Sequence, residues 1–404
     1  MFLSAAIIGY AVWRRETIGA QYFYGLLFVA ALVILQRVSN LYIAFLRGYK
    51  HFSLAARQMV WSSIVNGILV AVLSWRYHFY GFMWAMAASF VFNIFYIICR
   101  QRFEFRWTLD TKKIWGLIEY GFPLMLIGFL STLFLTIDKL MIARMIGVRE
   151  LGLYSVAILS YTYIGNIPTA IGIVLVPNFH QKYGESQNAA DLRGYLSKSS
   201  QVFSDLMPLM IAVGWLVVPF FVHAVLPDYQ GSIEAMRALI LSGYFLALLH
   251  PYSYFLAVIR KQVWLLPILF VACGIAFFCN LAAIRHGWGI VGVGVATTVV
   301  LFIKFTATYI LACEQLFSRK EYWKNYAIYL FKFFFMAGTL FALNRWWPGA
   351  ERSFWQMAGQ CLIFGIFYAP FLWKLNEDLG IFATLKKKFI DKLMPENNLA
   401  DRGT

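Results

Sequence analysis

The strongest constraint on this chain is a succession of apolar segments separated by short polar connections. Roughly twelve can be marked, at 1–12, 22–46, 54–75, 79–99, 114–138, 151–176, 199–225, 232–257, 262–284, 287–312, 326–345 and 353–373. Most run to about 20–27 residues, the length at which a helix crosses a bilayer. Hydrocarbon satisfies no backbone donor or acceptor, so only helices and closed barrels cross it. A barrel strand would read as about ten residues of alternating polarity, and these segments do not alternate. The expected fold class is an all-α polytopic membrane protein with about twelve transmembrane helices. Composition bears on this at one point: only 13% of residues are charged and 61% are hydrophobic. That is too little polar surface to cover a soluble globule, for which about 25% charged is usual.

The first segment is unusual. MFLSAAIIGYAVW offers few helical residues before Arg14 and Arg15, and no basic stretch precedes it as it would in a signal peptide. It reads as the second part of a helix, so an N-terminal truncation is expected. The basic residues then orient the chain. One set of alternate connections holds Arg47, Lys50 and Arg57, the run from Arg100 to Lys113, Lys182, Arg193 and Lys198, then Arg260 and Lys261. It continues with Arg319, Lys320, Lys324, Lys374 and Lys386–Lys388. The other set is poorer in Lys and Arg. The excess places the first set and the C-terminus in the cytoplasm. The net charge of +16 is thereby explained by topology, and no nucleic-acid partner is expected.

Signals for soluble-enzyme chemistry are weak. GWGIVG at Gly287–Gly292 matches GxGxxG, but it joins two apolar segments where a dinucleotide fold needs a strand before it. A helix start and close helix packing are the expected use of these glycines. The six His are scattered, no HExxH or GxSxG occurs, and the five Cys form no CxxC pair. No metal or cofactor is expected. A faint internal repeat relates HFYGFMWAMAAS (78–89) to HGWGIVGVGVAT (286–297), a kind of symmetry common in transporters.

Ionisable and polar groups inside the segments carry more information. Each charge costs at least about 2.5–3.5 kcal/mol at mid-bilayer, so such groups normally face a bundle interior or an aqueous cavity. Arg37 lies mid-segment with Asn40 on its face. Thr297, Lys304 and Thr308 fall on one stripe. Asp138 and Lys139 close an uncharged run from Phe122 to Ile137. Asp205 sits inside the seventh segment, where it can be an ion site or a helix N-terminal acid. Glu234 and Arg237 share a face, and Thr162, Asn166 and Thr169 line up beside Pro168. Arg57, Arg237 and Lys332 lie near enough to segment ends to snorkel. The interior is sparse in acids and modestly basic, which suits an anionic substrate, phosphate above all.

The stretch from Tyr120 to Glu185 resembles the polysaccharide-export flippases, the O-antigen and exopolysaccharide lipid-carrier transporters. The likeness rests on Gly121 and Pro123, on Asp138-Lys139 closing the helix, and on Gly147 in the turn. It continues through Gly152, Tyr154 and Ala157 of LGLYSVA and Pro177 at the next helix end. PDYQGSIEAMRALILSGYF (227–245) and FLRGYKHF (45–52) resemble two further connections of the family. The resemblance covers essentially the whole chain with loose, mainly structural motifs.

The resemblance implies two helical lobes, here with a shortened N-lobe. The expected organisation is a four-helix N-lobe remnant (1–99), a cytoplasmic linker (100–113), a six-helix C-lobe (114–313), two additional helices (314–373) and a basic cytoplasmic tail (374–404). The implied function is a flippase, not an enzyme, in the cell inner membrane. It would move undecaprenyl-pyrophosphate-linked oligosaccharide, an O-antigen or exopolysaccharide repeat unit, by alternating access. Its partners would be lipid-linked oligosaccharide, membrane lipids, and a polysaccharide polymerase with export machinery. On physical grounds fixed cations would offset the desolvation of the pyrophosphate. Arg37, Asn40, Lys139, Arg237 and Lys304 are the expected substrate-binding residues, and Asp138, Asp205 and Asn166 the ion-coupling or gating ones. A multidrug/cation antiporter of the same superfamily is the alternative and would favour acids in the cavity. A polymerase or acyltransferase fits less well, for want of a large outer loop or clustered His.

Overall fold

The computed structural model describes residues 4, 9, 20–49, 51–101, 110–314, 316–347 and 353–379. The first predicted segment, apart from Ser4 and Gly9, and the Lys386–Lys388 run lie outside the described residues. Every long element among the described residues is an α-helix: α1 (Ala20–Gly48), α2 (Phe52–Arg100), α3 (Thr111–Met145), α4 (Val148–Ser186), α5 (Arg193–Val225), α6 (Ile233–Val258), α7 (Leu265–Arg285), α8 (Gly289–Cys313), α9 (Arg319–Trp346) and α10 (Phe354–Leu379). All ten are long and apolar enough to cross a membrane. α2, at 49 residues, has the length for two crossings. This is a multi-pass membrane protein. The chain divides into two compact units, Met1–Asp110 and Thr111–Thr404.

The first unit is built on a helical hairpin. α2 breaks at His78, whose φ of 50° is left-handed, and its limbs 52–77 and 79–100 fold back on each other. Two polar rungs tie the limbs: Gln58 Nε2 donates to Asn93 Oδ1 and Ser89 Oγ to Asn66 Oδ1, each at 2.9 Å. In lipid the hydrophobic effect does not drive helices together, so such rungs and close van der Waals packing do the work. A Cβ at Gly81 would run into the Leu73 carbonyl, so the limbs meet where only glycine fits. Leu46, Ala55 and Ile97 form a small buried cluster that seats α1 on this hairpin.

The second unit is organised around α6. Its apolar residues lie on all sides of the helix, the pattern of a helix buried all round, and it packs against α4, α5 and α8. α7 bridges α3 and α8, and α9 and α10 pack on α5. At the crossing of α8 and α6, a Cβ on Gly294 would stand 3.1 Å from the Ala235 carbonyl, so a larger residue would push the helices apart. Tyrosine hydroxyls pin α9: Tyr244 donates to the Tyr329 carbonyl (2.9 Å) and Tyr309 to the Tyr322 carbonyl (2.7 Å). The GWGIVG glycines serve the α7–α8 turn, with φ of 76° at Gly287 and 56° at Gly289, and Gly292 packs tightly over Ala283 and Trp288.

Two boundaries differ from expectation. The polar stretch 177–198, which lies between two of the expected segments, is almost entirely helical. α4 continues to Ser186, Gln187 turns in the left-handed region, and Asn188 Oδ1 caps a short 3₁₀ turn that leads into α5. Phe179, fully buried against Tyr195 at a ring separation of 4.8 Å, holds this extension down. The second difference is that α3 does not end at Asp138-Lys139. It runs on to Met145 because the Asp138 carboxylate is satisfied inside the bundle.

Candidate functional site

Helical spacing on α3 places Ser131, Phe134, Leu135 and Asp138 on one face. That face meets Tyr154, Tyr161 and Asn166 of α4, His250 of α6, and Thr297 and Lys304 of α8 around two adjoining cavities. One, of about 310 Å³, is lined by Asp138, Lys139, Tyr154, Thr162, Asn166, Thr169 and Thr297 among others. The other, of about 300 Å³, is lined by Ser131, Ser253, Lys304, Thr308 and many aliphatic side chains. Phe134, Leu135, Tyr161, Leu246 and His250 line both. The two adjoin through these shared walls, with an acid lining one and a base lining the other.

Asp138 is buried and, among the described residues, held only by neutral donors. Its Oδ2 accepts from Tyr154 Oη and Thr297 Oγ1, and its Oδ1 from Asn280 Nδ2, each at 2.9 Å. Thr297 Oγ1 also lies 3.0 Å from the Val293 carbonyl. A hydroxyl has one proton, so it serves Asp138 or Val293 but not both. Asn280 Oδ1 and the Tyr161 hydroxyl are buried without a hydrogen-bond partner. Among the described residues, the cluster therefore holds a carboxylate with no ion-pair partner and a spare acceptor beside it.

At the other end, Lys304 Nζ lies 5.2 Å from the centroid of the Phe134 ring, a cation–π contact. No carboxylate pairs with it among the described residues. His250 Nδ1 is 2.7 Å from the Leu246 carbonyl, so that nitrogen carries the proton and Nε2 is left as the acceptor.

The predicted residues thus separate into groups. Asp138, Lys139 and Asn166 share one cavity and Lys304 lines its neighbour. Arg237 and Asp205 lie elsewhere, each with a partner: Arg237 pairs with Glu234 at 2.7 Å and stacks over Trp215 at 4.6 Å, and Asp205 pairs with the buried Lys332. Arg37 and Asn40 are exposed on α1 in the other compact unit. The sequence names Tyr154 only as part of the LGLYSVA motif and gives no site role to Tyr161, Asn280 or His250. A search for charges overlooks them, although Asn280, a lone amide in the apolar LFVACGIAFFCNLAA, was a visible anomaly.

A family model described as polysaccharide biosynthesis protein matches residues 3–228, more than half of the chain. The chain belongs to this family. No curated protein matches the sequence. Among solved structures, the chain is similar to a lipid II flippase, MurJ, in an inward closed conformation. The TM-score is 0.62 at 15% identity, covering 94% of this chain and 82% of that one. It is also similar to an outward-facing multidrug resistance MATE transporter of the MOP superfamily (TM-score 0.60, 14% identity, 77% and 75% covered) and to a crystal structure of a MATE point mutant (0.59, 14%, 78% and 75%). At these identities the likeness establishes the fold. The family and the MurJ/MATE fold agree with the lineage read from the α3–α4 stretch.

Proposed function

We propose that this protein is a flippase for undecaprenyl-pyrophosphate-linked oligosaccharide in the cytoplasmic membrane, with its basic connections and C-terminus on the cytoplasmic side, working by alternating access. The observation that carries the reading is Lys304, a cation with no carboxylate partner among the described residues, in a cavity that adjoins a polar one. A pyrophosphate drawn through low dielectric loses its hydration, and a fixed cation offsets part of that loss. Lys304 is assigned to the pyrophosphate, and Lys139, Asn166, Thr162 and Thr169 to the glycan side of the joined cavities. Arg37, with Asn40, is a second phosphate contact on its own unit. Family membership in polysaccharide biosynthesis supports the substrate class. Asp138 is the coupling site: an uncompensated carboxylate amid neutral donors gains from a proton or a small cation and loses it as the donors rearrange. Asn166, in the same cavity, is kept as a gating residue. Arg237 and Asp205, both ion-paired, serve the structure of the unit in this reading.

The test uses cells lacking the gene and asks on which membrane face lipid-linked oligosaccharide accumulates. Cytoplasmic-face accumulation relieved by this chain, and not by its Lys304→Ala variant, is the expected result. Absence of accumulation overturns the flippase reading. One observation favours a second reading: Asp138 supplies the acid that a multidrug/cation antiporter requires, on a fold that such antiporters share. Cation-dependent drug efflux from vesicles carrying the protein would establish it.

A further inference from the structure

A second polar cleft lies away from the joined cavities, where the start of α5, the start of α9 and the end of α10 come together. Its volume is about 440 Å³, with an extension of about 480 Å³ toward Arg193 and Glu321. Lys324 and Lys374 stand exposed at its rim, Ser197 and Asn325 form a polar wall, and Phe331 and Phe371 an apolar one. The other charges that line the cleft are already matched. Lys332 at the floor is ion-paired with Asp205 and donates to Ser204 Oγ at 3.0 Å. Arg193 gives both Glu321 oxygens a hydrogen bond, at 2.7 and 2.6 Å. Glu377, one turn beyond Lys374, keeps its charge, but it does not line the cleft and its Oε1 accepts from the neutral Trp373 Nε1 at 2.9 Å. Lys324 and Lys374 have no ion-pair partner among the described residues, so the rim carries two uncompensated positive charges.

The depth of the cleft follows from its tryptophans. Trp323 and Trp373, each immediately before one of the two lysines, are 54% and 67% exposed. Exposed Trp beside Lys marks the headgroup level of a bilayer. The exposed ring of Phe331, two turns along α9 from Lys324, then lies at acyl-chain depth. Charge above and hydrocarbon below, on one cleft, match an amphiphile with an anionic head.

We propose that this cleft binds an anionic phospholipid, with Lys324 and Lys374 on its phosphodiester and one acyl chain along Phe331. Asp205 does not repel the phosphate, because Lys332 neutralises it at the floor. The lipid would join α10 and α9 to α5 and brace the end of the second unit. The site is separate from the transport cavities and does not depend on what they carry.

The experiment is native mass spectrometry of the full chain, stripped of lipid in detergent and titrated with phosphatidylglycerol, with phosphatidylcholine of the same chains, and with inorganic phosphate. Phosphatidylglycerol should bind saturably, phosphatidylcholine weakly, and phosphate should not displace the lipid. The Lys324→Ala/Lys374→Ala double variant should bind phosphatidylglycerol roughly thirtyfold more weakly, about fivefold for each lysine at a membrane surface. The Lys324→Arg/Lys374→Arg double should retain binding, and Lys112→Ala/Lys113→Ala at the start of α3 should leave it unchanged. On the unmodified protein, added salt should weaken the binding, since exposed lysines are screened. Equal affinity for phosphatidylcholine, undiminished binding by the Ala double variant, or indifference to salt would overturn the proposal. Displacement by phosphate would assign the lysines to the free anion and overturn the lipid.

Discussion

Two aspartates are buried in the second unit, and the protein treats them in opposite ways. Asp205, 2% exposed, faces Lys332 in a closed ion pair. Asp138, 7% exposed, faces a phenol, an amide and a hydroxyl. An ion pair neutralises its carboxylate permanently and leaves no reason for another ion to enter. Neutral donors orient a carboxylate but leave its charge to be met by something mobile. The contrast separates a neutralised acid from one that meets only neutral donors among the described residues, and burial alone would not have done so.

The comparison is broken most directly at Asp138. Asp138→Asn should reduce transport to background, measured as lipid-linked oligosaccharide on the cytoplasmic face of cells lacking the native gene. It should leave the melting temperature in detergent nearly unchanged, because an amide keeps the shape, its oxygen still accepts from Tyr154 and Thr297, and its NH2 can donate to Asn280 Oδ1 once the Asn280 amide turns over. A variant that fails to fold would mean that Asp138 is as structural as Asp205. The next effect concerns stability. Lys332→Met strands a buried carboxylate and should cost about 3–5 kcal/mol in thermal or denaturant unfolding. The Lys332→Met/Asp205→Leu double variant should recover most of that loss, since replacing both partners with apolar groups is often neutral. Persistent instability of the double variant would give the pair a role beyond mutual neutralisation.

Lys304→Ala sharpens the contrast from the basic side. Losing one hydrogen bond to a charged group, about 1.5–3 kcal/mol, should lower transport roughly tenfold to a hundredfold, with Lys304→Arg retaining part of it. Transport unaffected by Lys304→Ala would remove the pyrophosphate contact from the scheme. The smallest effect belongs to Glu234, whose side chain is 65% exposed in its pair with Arg237. Glu234→Gln should shift stability by less than about 1 kcal/mol, as exposed pairs do, and leave transport intact.

The helices were legible because lipid enforces a simple rule: about 20 apolar residues per crossing, with every backbone group paired within the helix. Predicted segments matched α1 and α3 to α10 to within a few residues at many of their ends, and the two limbs of α2. The rule failed at 177–186, where Phe179 and Tyr183 draw a polar stretch onto the core, and at Asp138, where a charge did not end the helix. Both are cases in which a tertiary partner outweighed local polarity. The site was legible in its charged members and in the polar residues that share a helix face with one another or with a charge. Asp138, Lys139, Asn166 and Lys304 stood out against an apolar background, but nothing in the chain said that Asp205 would be paired and Asp138 would not.

By itself the sequence determined the solvent, the helices and the family, since these follow from hydropathy period and from local motifs around Gly121–Pro177. Tertiary structure decided which groups face each charge. Asn280 reaches Asp138 across 142 residues and Thr297 across 159, while Lys332 reaches Ser204 across 128. A carboxylate's role is set by the groups within hydrogen-bond reach of it, and in a helical bundle those groups come from distant turns of the chain.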